Sequence, residues 1–106
     1  MTIDEKIEHI KNAILDHVPA KYIYLFGSYA YGSPSIESDI DIYAVIPDEF
    51  EKERFLRIDI NRELYNKNIY EIDLHLRTES KFNYRKTRSL FEGEICKKGR
   101  LIYEFS

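Results

Sequence analysis

The sequence predicts a small α/β protein in which helices pack against one face of a single β-sheet. Its 106 residues are enough for one modest hydrophobic core and too few for a second lobe. Along the chain, segments with the helical period of apolar residues alternate with segments that have the period of two typical of strands. The resulting order of elements is α-β-α-β-α-β-α. We therefore expect one domain that spans residues 1–106.

The first part of the chain contains a capped helix and an apolar strand. Thr2 and Glu5 match a capping box. Four isoleucines at helical spacing define the buried stripe of this helix: Ile3, Ile7, Ile10 and Ile14. The strand Tyr22–Phe26 is continuously apolar, so we expect it at the centre of the sheet. A short helical turn follows from Ser28 to about Tyr31 and stops at Gly32-Ser33-Pro34-Ser35.

Two further strands alternate between apolar and polar residues. The strand Asp39–Ile46 places its isoleucines on one face and its carboxylates on the other. Pro47-Asp48 ends this strand, and Asp48 is predicted to cap a helix that runs to about Tyr65. The strand Tyr70–Leu76 shows the same alternation. One helix from Phe82 to about Cys96 and a short strand at residues 101–103 complete the prediction.

The candidate site lies around Gly27-Ser28 and the carboxylates of Asp39 and Asp41. Side chains at alternate strand positions point to the same face, roughly 6.5–7 Å apart. Oxygen donors so placed suit hard divalent cations such as Mg²⁺, and without a cation their mutual repulsion would reduce stability. Gly27 lacks a Cβ and lets a ligand approach the backbone, while Ser28 offers a hydroxyl. A phosphate suits this corner if a helix starts there, so the pattern indicates a nucleoside triphosphate with its metals.

The same residues resemble the signature of a known superfamily. Gly27-Ser28, ten residues and then Asp39-x-Asp41 is similar to the motif of the DNA polymerase beta-like nucleotidyltransferases, and most of all to their minimal nucleotidyltransferase branch. The resemblance implies a small mixed β-sheet with helices packed on one face. It also implies that Gly27 and Ser28 bind the triphosphate and that Asp39 and Asp41 bind two Mg²⁺ ions. Asp73, on the third predicted strand, is the candidate for the third catalytic and metal-binding acid.

The resemblance also implies an activity and a partner. Members of this branch transfer a nucleotide, here AMP from ATP, to an acceptor hydroxyl. Small stand-alone members resemble antitoxins that are encoded beside a HEPN-domain ribonuclease toxin. Such an antitoxin would bind the toxin and adenylylate a tyrosine on it, so we expect a homo- or hetero-oligomer.

Three alternatives to this function remain open. The protein could transfer a nucleotide to a small molecule such as an aminoglycoside, with a second chain completing the pocket. It could be a non-catalytic antitoxin that neutralises its partner by binding, although a pure binder has no need of three carboxylates on one face. A structural domain with a fortuitous motif is the least favoured hypothesis.

Composition excludes several other classes of protein. The formal charge of −3 arises from 16 basic and 19 acidic residues, so we expect no stable DNA binding. Cys96 is the single cysteine and cannot form an internal disulfide. No apolar run approaches the length of a membrane span, so we expect a cytoplasmic protein. The basic cluster Lys81, Arg85, Lys86 and Arg88 is interpreted as a solvated helix face, and Glu71 and His75 as bystanders beside Asp73.

Overall fold

The fold is a mixed four-stranded sheet with helices, seen in a computed structural model that describes residues 1–32 and 39–106. Its elements are α1 (Ile3–His17), β1 (Tyr22–Phe26), α2 (Ser28–Tyr31), β2 (Ile40–Ile46), α3 (Glu53–Tyr65), β3 (Ile72–Thr78), α4 (Glu79–Arg85), α5 (Leu90–Lys98) and β4 (Arg100–Glu104). The strand order is β3-β2-β1-β4. β2 and β3 are parallel, whereas β1 is antiparallel to both β2 and β4. The predicted turn at residues 33–38 lies outside the described residues, and no described helix has both the length and the hydrophobicity of a membrane span.

The main hydrophobic core lies between the sheet and the pair α1 and α3. The predicted capping box of α1 is confirmed, because Glu5 N donates to Thr2 Oγ1 at 3.1 Å and Thr2 N donates to Glu5 Oε1 at 3.2 Å. The isoleucine stripe of α1 packs into the core, which also includes Ile23, Leu25 and Ile42 from the sheet. The start of the chain therefore folds as its local sequence predicts.

The helix predicted to start at Asp48 begins later, and Asp48 caps a different helix. α3 starts at Glu53 after Lys52, which makes no side-chain capping bond. The Asp48 carboxylate instead accepts a hydrogen bond from Ser80 N at 2.9 Å and another from Ser80 Oγ, in the first turn of α4. The prediction that Asp48 caps α3 was wrong, because the residue that Asp48 binds lies far along the chain. A local capping motif cannot reveal such a distant partner.

The last helix of the prediction is divided into α4 and α5, and both lie on the second face of the sheet. Phe82 of α4 and Ile95 of α5 pack against Tyr43 and Val45 of β2, which are completely buried. The predicted α/β class with one small mixed sheet is confirmed. In addition to the helices on the first face, α4 and α5 cover the middle of the second face.

A buried carboxylate fixes α5 to the sheet. Glu92 is 0% exposed and accepts hydrogen bonds from Tyr43 Oη at 2.9 Å and Arg85 Nε at 3.0 Å. Burial acts to raise the pKa of this carboxyl, but hydrogen bonds from Ser89, Tyr43 and Arg85 outweigh it and hold the pKa below its usual value. Burial and the hydrogen bond to Glu92 raise the pKa of Tyr43 in turn. The charge is thus kept inside the protein by the groups around it.

The Glu92 network is expected to contribute strongly to stability. Glu92→Ala leaves the Tyr43 hydroxyl buried without its partner, so we expect the free energy of unfolding to fall by about 2–4 kcal/mol. Urea unfolding measures this change. Glu94→Ala on the same helix is the matched control, because Glu94 is half exposed and forms an exposed ion pair with Lys98 at 3.2 Å, so we expect a loss of about 0.5 kcal/mol or less. Equal losses in the two variants would contradict this account of Glu92.

Candidate functional site

The predicted site residues lie in or next to β1, β2 and β3, at the edge of the sheet where β1 ends and where β2 and β3 begin. β1 runs into the corner at Gly27, while β2 starts beside Asp39 and carries Asp41 as its second residue. Asp41 pairs in register with Phe26 of β1 on one side and with Asp73 of β3 on the other. Because β1 is antiparallel to β2 and β3 is parallel to it, the corner and the carboxylates meet at this edge.

Gly27 and Asp41 approach each other so closely that only glycine fits at the corner. A Cβ on Gly27 would overlap Asp41 Oδ2 and lie 2.9 Å from Asp41 Cγ. The backbone of Gly27 also has φ +73° and ψ −155°, a region that side-chain-bearing residues avoid. As predicted, a short helix starts at Ser28, and it ends at Gly32, which is left-handed with φ +84°. The Ser28 hydroxyl therefore lies at the first residue of this helix, next to the corner.

Asp41 carries the clearest electrostatic signature of the site. Its side chain is partly buried, and burial raises its pKa above the usual value. The charges of Asp73 and Asp39 raise the pKa of Asp41 further, while His75 acts in the opposite direction. Negative charge is thus concentrated at the sheet edge, where a bound cation would relieve the repulsion.

The other two carboxylates are more exposed than Asp41. Asp39 lies one residue before β2 rather than within it, so the predicted strand start was one residue early. The Asp73 side chain is 55% exposed, and its Oδ2 lies 3.2 Å from His75 Nε2. Within residues 1–32 and 39–106, no three His, Cys, Asp or Glu side chains already converge as a metal cage. The oxygen donors nevertheless fit Mg²⁺, which takes only one or two carboxylates and completes its shell with water and substrate phosphate.

An aromatic cluster beside the carboxylates was missed by the sequence analysis. The His75 ring contacts Phe26, Tyr43 and Phe91, with centroid distances of 5.6, 6.3 and 5.2 Å. The alternation of the strand already places His75 on the same face as Asp73, so its position near the carboxylates could have been predicted from the sequence. The contact with Phe91 could not have been predicted, because it depends on how α5 docks against the sheet.

The predicted basic cluster is largely engaged by the protein itself. Arg85 pairs with buried Glu92, and Lys81 Nζ lies 3.3 Å from Glu53 Oε1. Lys86 lies over the Phe82 ring and Arg88 over the Tyr84 ring, at 5.8 and 4.1 Å from the centroids. The interpretation of this cluster as a solvated helix face is therefore wrong for Arg85, which stabilises the fold by pairing with a buried carboxylate.

Comparisons with solved structures give several similar folds. A toxin-antitoxin crystal structure with AMP-PNP is 23% identical, covers 93% of this chain and 73% of its own, and has a TM-score of 0.68. A tri-AMPylated Shewanella oneidensis HEPN toxin in complex with MNT antitoxin matches at 20% identity, with coverages of 96% and 72% and a TM-score of 0.63. A protein assigned as a nucleotidyltransferase matches at 26% identity, with coverages of 92% and 97% and a TM-score of 0.57.

Comparison with protein families agrees with the motif. A search of curated proteins finds no match. The family model described as "Nucleotidyltransferase domain" matches residues 7–96, which contain all the candidate site residues and most of the fold. The resemblance to nucleotidyltransferases, stated from Gly27-Ser28 and Asp39-x-Asp41, is thereby confirmed. The predicted enzyme class, a nucleotidyltransferase, is confirmed as well. The chain belongs to the nucleotidyltransferase domain family.

Proposed function

We propose that this protein transfers AMP from ATP to a tyrosine hydroxyl of a HEPN-domain toxin and thereby acts as its antitoxin. The observation that carries the proposal is the close approach of the Asp41 carboxylate to Gly27, with Asp73 beside it in the parallel register. This arrangement puts cation ligands and a backbone corner without a side chain next to each other. A triphosphate and its cations need both features in one place.

Each site residue has a proposed role in this reaction. Asp39 and Asp41 would hold two Mg²⁺ ions, and Asp73 would join the ion on the acceptor side. When bound, these ions would neutralise charge on the triphosphate and on the attacking and leaving oxygens. Gly27 leaves room for the β- and γ-phosphates, and Ser28 donates its hydroxyl to them.

The transfer itself is an in-line displacement at the α-phosphorus. The acceptor oxygen forms a bond to the α-phosphorus, the bond to the bridging oxygen breaks, and pyrophosphate leaves with that electron pair. The Asp73 carboxylate accepts the proton of the acceptor hydroxyl. The contribution of the protein is mostly positioning and compensation of charge.

Structural neighbours support the choice of nucleotide and partner. One neighbour is a toxin-antitoxin with AMP-PNP, and another is an MNT antitoxin in complex with a tri-AMPylated HEPN toxin. The rim of the site also offers apolar surface to a protein partner. Leu90 is 90% exposed, and the adjacent Phe91 is 37% exposed and contacts Phe26 beside the corner.

AMP transfer is expected to appear as an increase in the mass of the partner. The protein is incubated with Mg²⁺–ATP and the HEPN-domain toxin proposed as its partner, and intact masses are measured. We expect the partner to gain whole AMP units, on a tyrosine. The double variant Asp39→Asn/Asp41→Asn should abolish the gain, because it removes the cation ligands.

Other outcomes of the mass measurement would redirect or refute the proposal. ATP binding without modification of the partner would favour a small-molecule acceptor such as an aminoglycoside, or neutralisation of the toxin by contact. Absence of both ATP binding and transfer would contradict the proposed function.

Gly27→Ala is expected to lower nucleotide affinity as well as stability. The added Cβ overlaps the Asp41 carboxylate, so we expect the affinity for a fluorescent ATP analogue to fall by about tenfold or more. Gly32→Ala is the control, because Gly32 also has a positive φ, but no atom of residues 1–32 and 39–106 lies within 4 Å of an added Cβ. It should lose about 1 kcal/mol of stability through backbone strain and keep its nucleotide affinity. An equal loss of affinity in both variants would contradict a specific role for Gly27.

Asp41→Asn is expected to stabilise the metal-free protein while abolishing transfer. The folded-state pKa of Asp41 is raised, so its ionisation at neutral pH destabilises the fold relative to the unfolded chain. We expect the variant to be more stable than the wild type at pH 7 in the presence of a chelator. The gain should vanish below about pH 3.8, the usual pKa of aspartate, because both states are then protonated. A variant less stable than the wild type at pH 7 would contradict this reading of the site.

A further inference from the structure

His75 contacts the carboxylate of Asp73, which is one of the proposed cation ligands. Its Nε2 lies 3.2 Å from Asp73 Oδ2. The two residues are two positions apart on β3, so their side chains leave the strand on the same face. A carboxylate only accepts hydrogen bonds, so the contact requires a proton on Nε2. The mechanism proposed above gives this histidine no role.

Three aromatic rings hold the His75 imidazole in place. Tyr43 stacks on it with an interplanar angle of 19°, and Phe91 meets it edge-on at 60°. Phe26 lies against it at a centroid distance of 5.6 Å. A histidine–carboxylate pair near the surface usually contributes little, because two mobile side chains must be ordered to form it. Here packing has already ordered one of the two partners.

The aromatic cluster of Phe26, Tyr43 and Phe91 around His75 is held in place by the buried charge of Glu92. Tyr43 donates its hydroxyl hydrogen to Glu92 at 2.9 Å, and both residues are 0% exposed. Phe91 directly precedes Glu92 on α5, so the pair between Glu92 and Arg85 also positions the Phe91 ring. A continuous series of contacts therefore connects the buried anchor of α5 to the exposed carboxylate of Asp73.

We propose that His75 is a positioning residue, which orients the Asp73 carboxylate for cation binding through its Nε2–H hydrogen bond. This inference rests on the proposed function, because it adds a residue to the same site. The Asp73 side chain is 55% exposed, and without a fixed partner it would be free to change rotamer. Groups that hydrogen-bond to metal ligands fix their orientation, and removing such a group typically lowers metal affinity about 10- to 100-fold.

Two substitutions at position 75 separate the hydrogen bond from the packing. His75→Phe keeps an aromatic ring in the aromatic cluster but removes the hydrogen-bond donor. His75→Gln removes the ring but keeps an N–H donor. Mn²⁺ binding is measured without nucleotide by calorimetry and by electron paramagnetic resonance, and urea unfolding reports stability. We expect His75→Phe to weaken Mn²⁺ binding about 10- to 100-fold and His75→Gln to recover most of the affinity and the wild-type Mn²⁺ spectrum.

His17 provides a matched control on the opposite face of the sheet. Its Nε2 lies 3.2 Å from Glu63 Oε1, the same distance as in the pair of His75 and Asp73. His17→Phe should therefore lose a comparable contact and keep the wild-type affinity for Mn²⁺.

The outcomes distinguish this inference from the proposed function. Wild-type Mn²⁺ affinity in His75→Phe would overturn the inference and leave the proposed function intact. An equal weakening in His75→Phe and His75→Gln would also overturn it, because the ring rather than the hydrogen bond would then matter. If the wild-type protein binds no Mn²⁺, the proposed cation site fails and the inference fails with it.

Discussion

The site depends on the contact between the Asp41 carboxylate and the bare backbone of Gly27. This contact requires a residue without a side chain at the end of β1, and it brings a charged group partly out of water beside two other carboxylates. Both features act against stability, the first through a backbone conformation open mainly to glycine and the second through repulsion and burial. Such local costs are typical of functional sites, where a ligand supplies the missing compensation.

The two faces of the sheet are packed in different ways. On the face of α1 and α3, isoleucine, leucine and valine side chains form an ordinary apolar core. On the other face, Tyr43 and Phe82 combine with the buried charge of Glu92 to hold α4 and α5. Tyr43, one of the side chains that hold α4 and α5, also contacts His75, which lies beside Asp73. The packing of the last two helices is therefore coupled to the geometry of the candidate site.

Local patterns predicted most of the fold and named the candidate residues of the site. The cap at Thr2 and the isoleucine stripe of α1 depend on neighbours within one or two helical turns, so the sequence contains the whole signal. Residue type and strand alternation predicted that Asp41 and Asp73 share a face, and the two residues are indeed paired in register. The roles of Asp48 and Glu92 were not predicted, because Ser80 and Tyr43, which bind them, lie 32 and 49 residues away and meet them only when α4 and α5 dock. The same docking gives His75 its surroundings, which alternation alone cannot reveal.

The proposed site can be tested directly by locating the cations and the triphosphate in a crystal. Crystals would be grown with Mn²⁺ and AMP-PNP, and anomalous differences would be measured near the manganese absorption edge. We expect anomalous density at the carboxylates of Asp39, Asp41 and Asp73, with the triphosphate against Gly27 and Ser28. Well-ordered crystals with Mn²⁺ and nucleotide bound away from these carboxylates would contradict it.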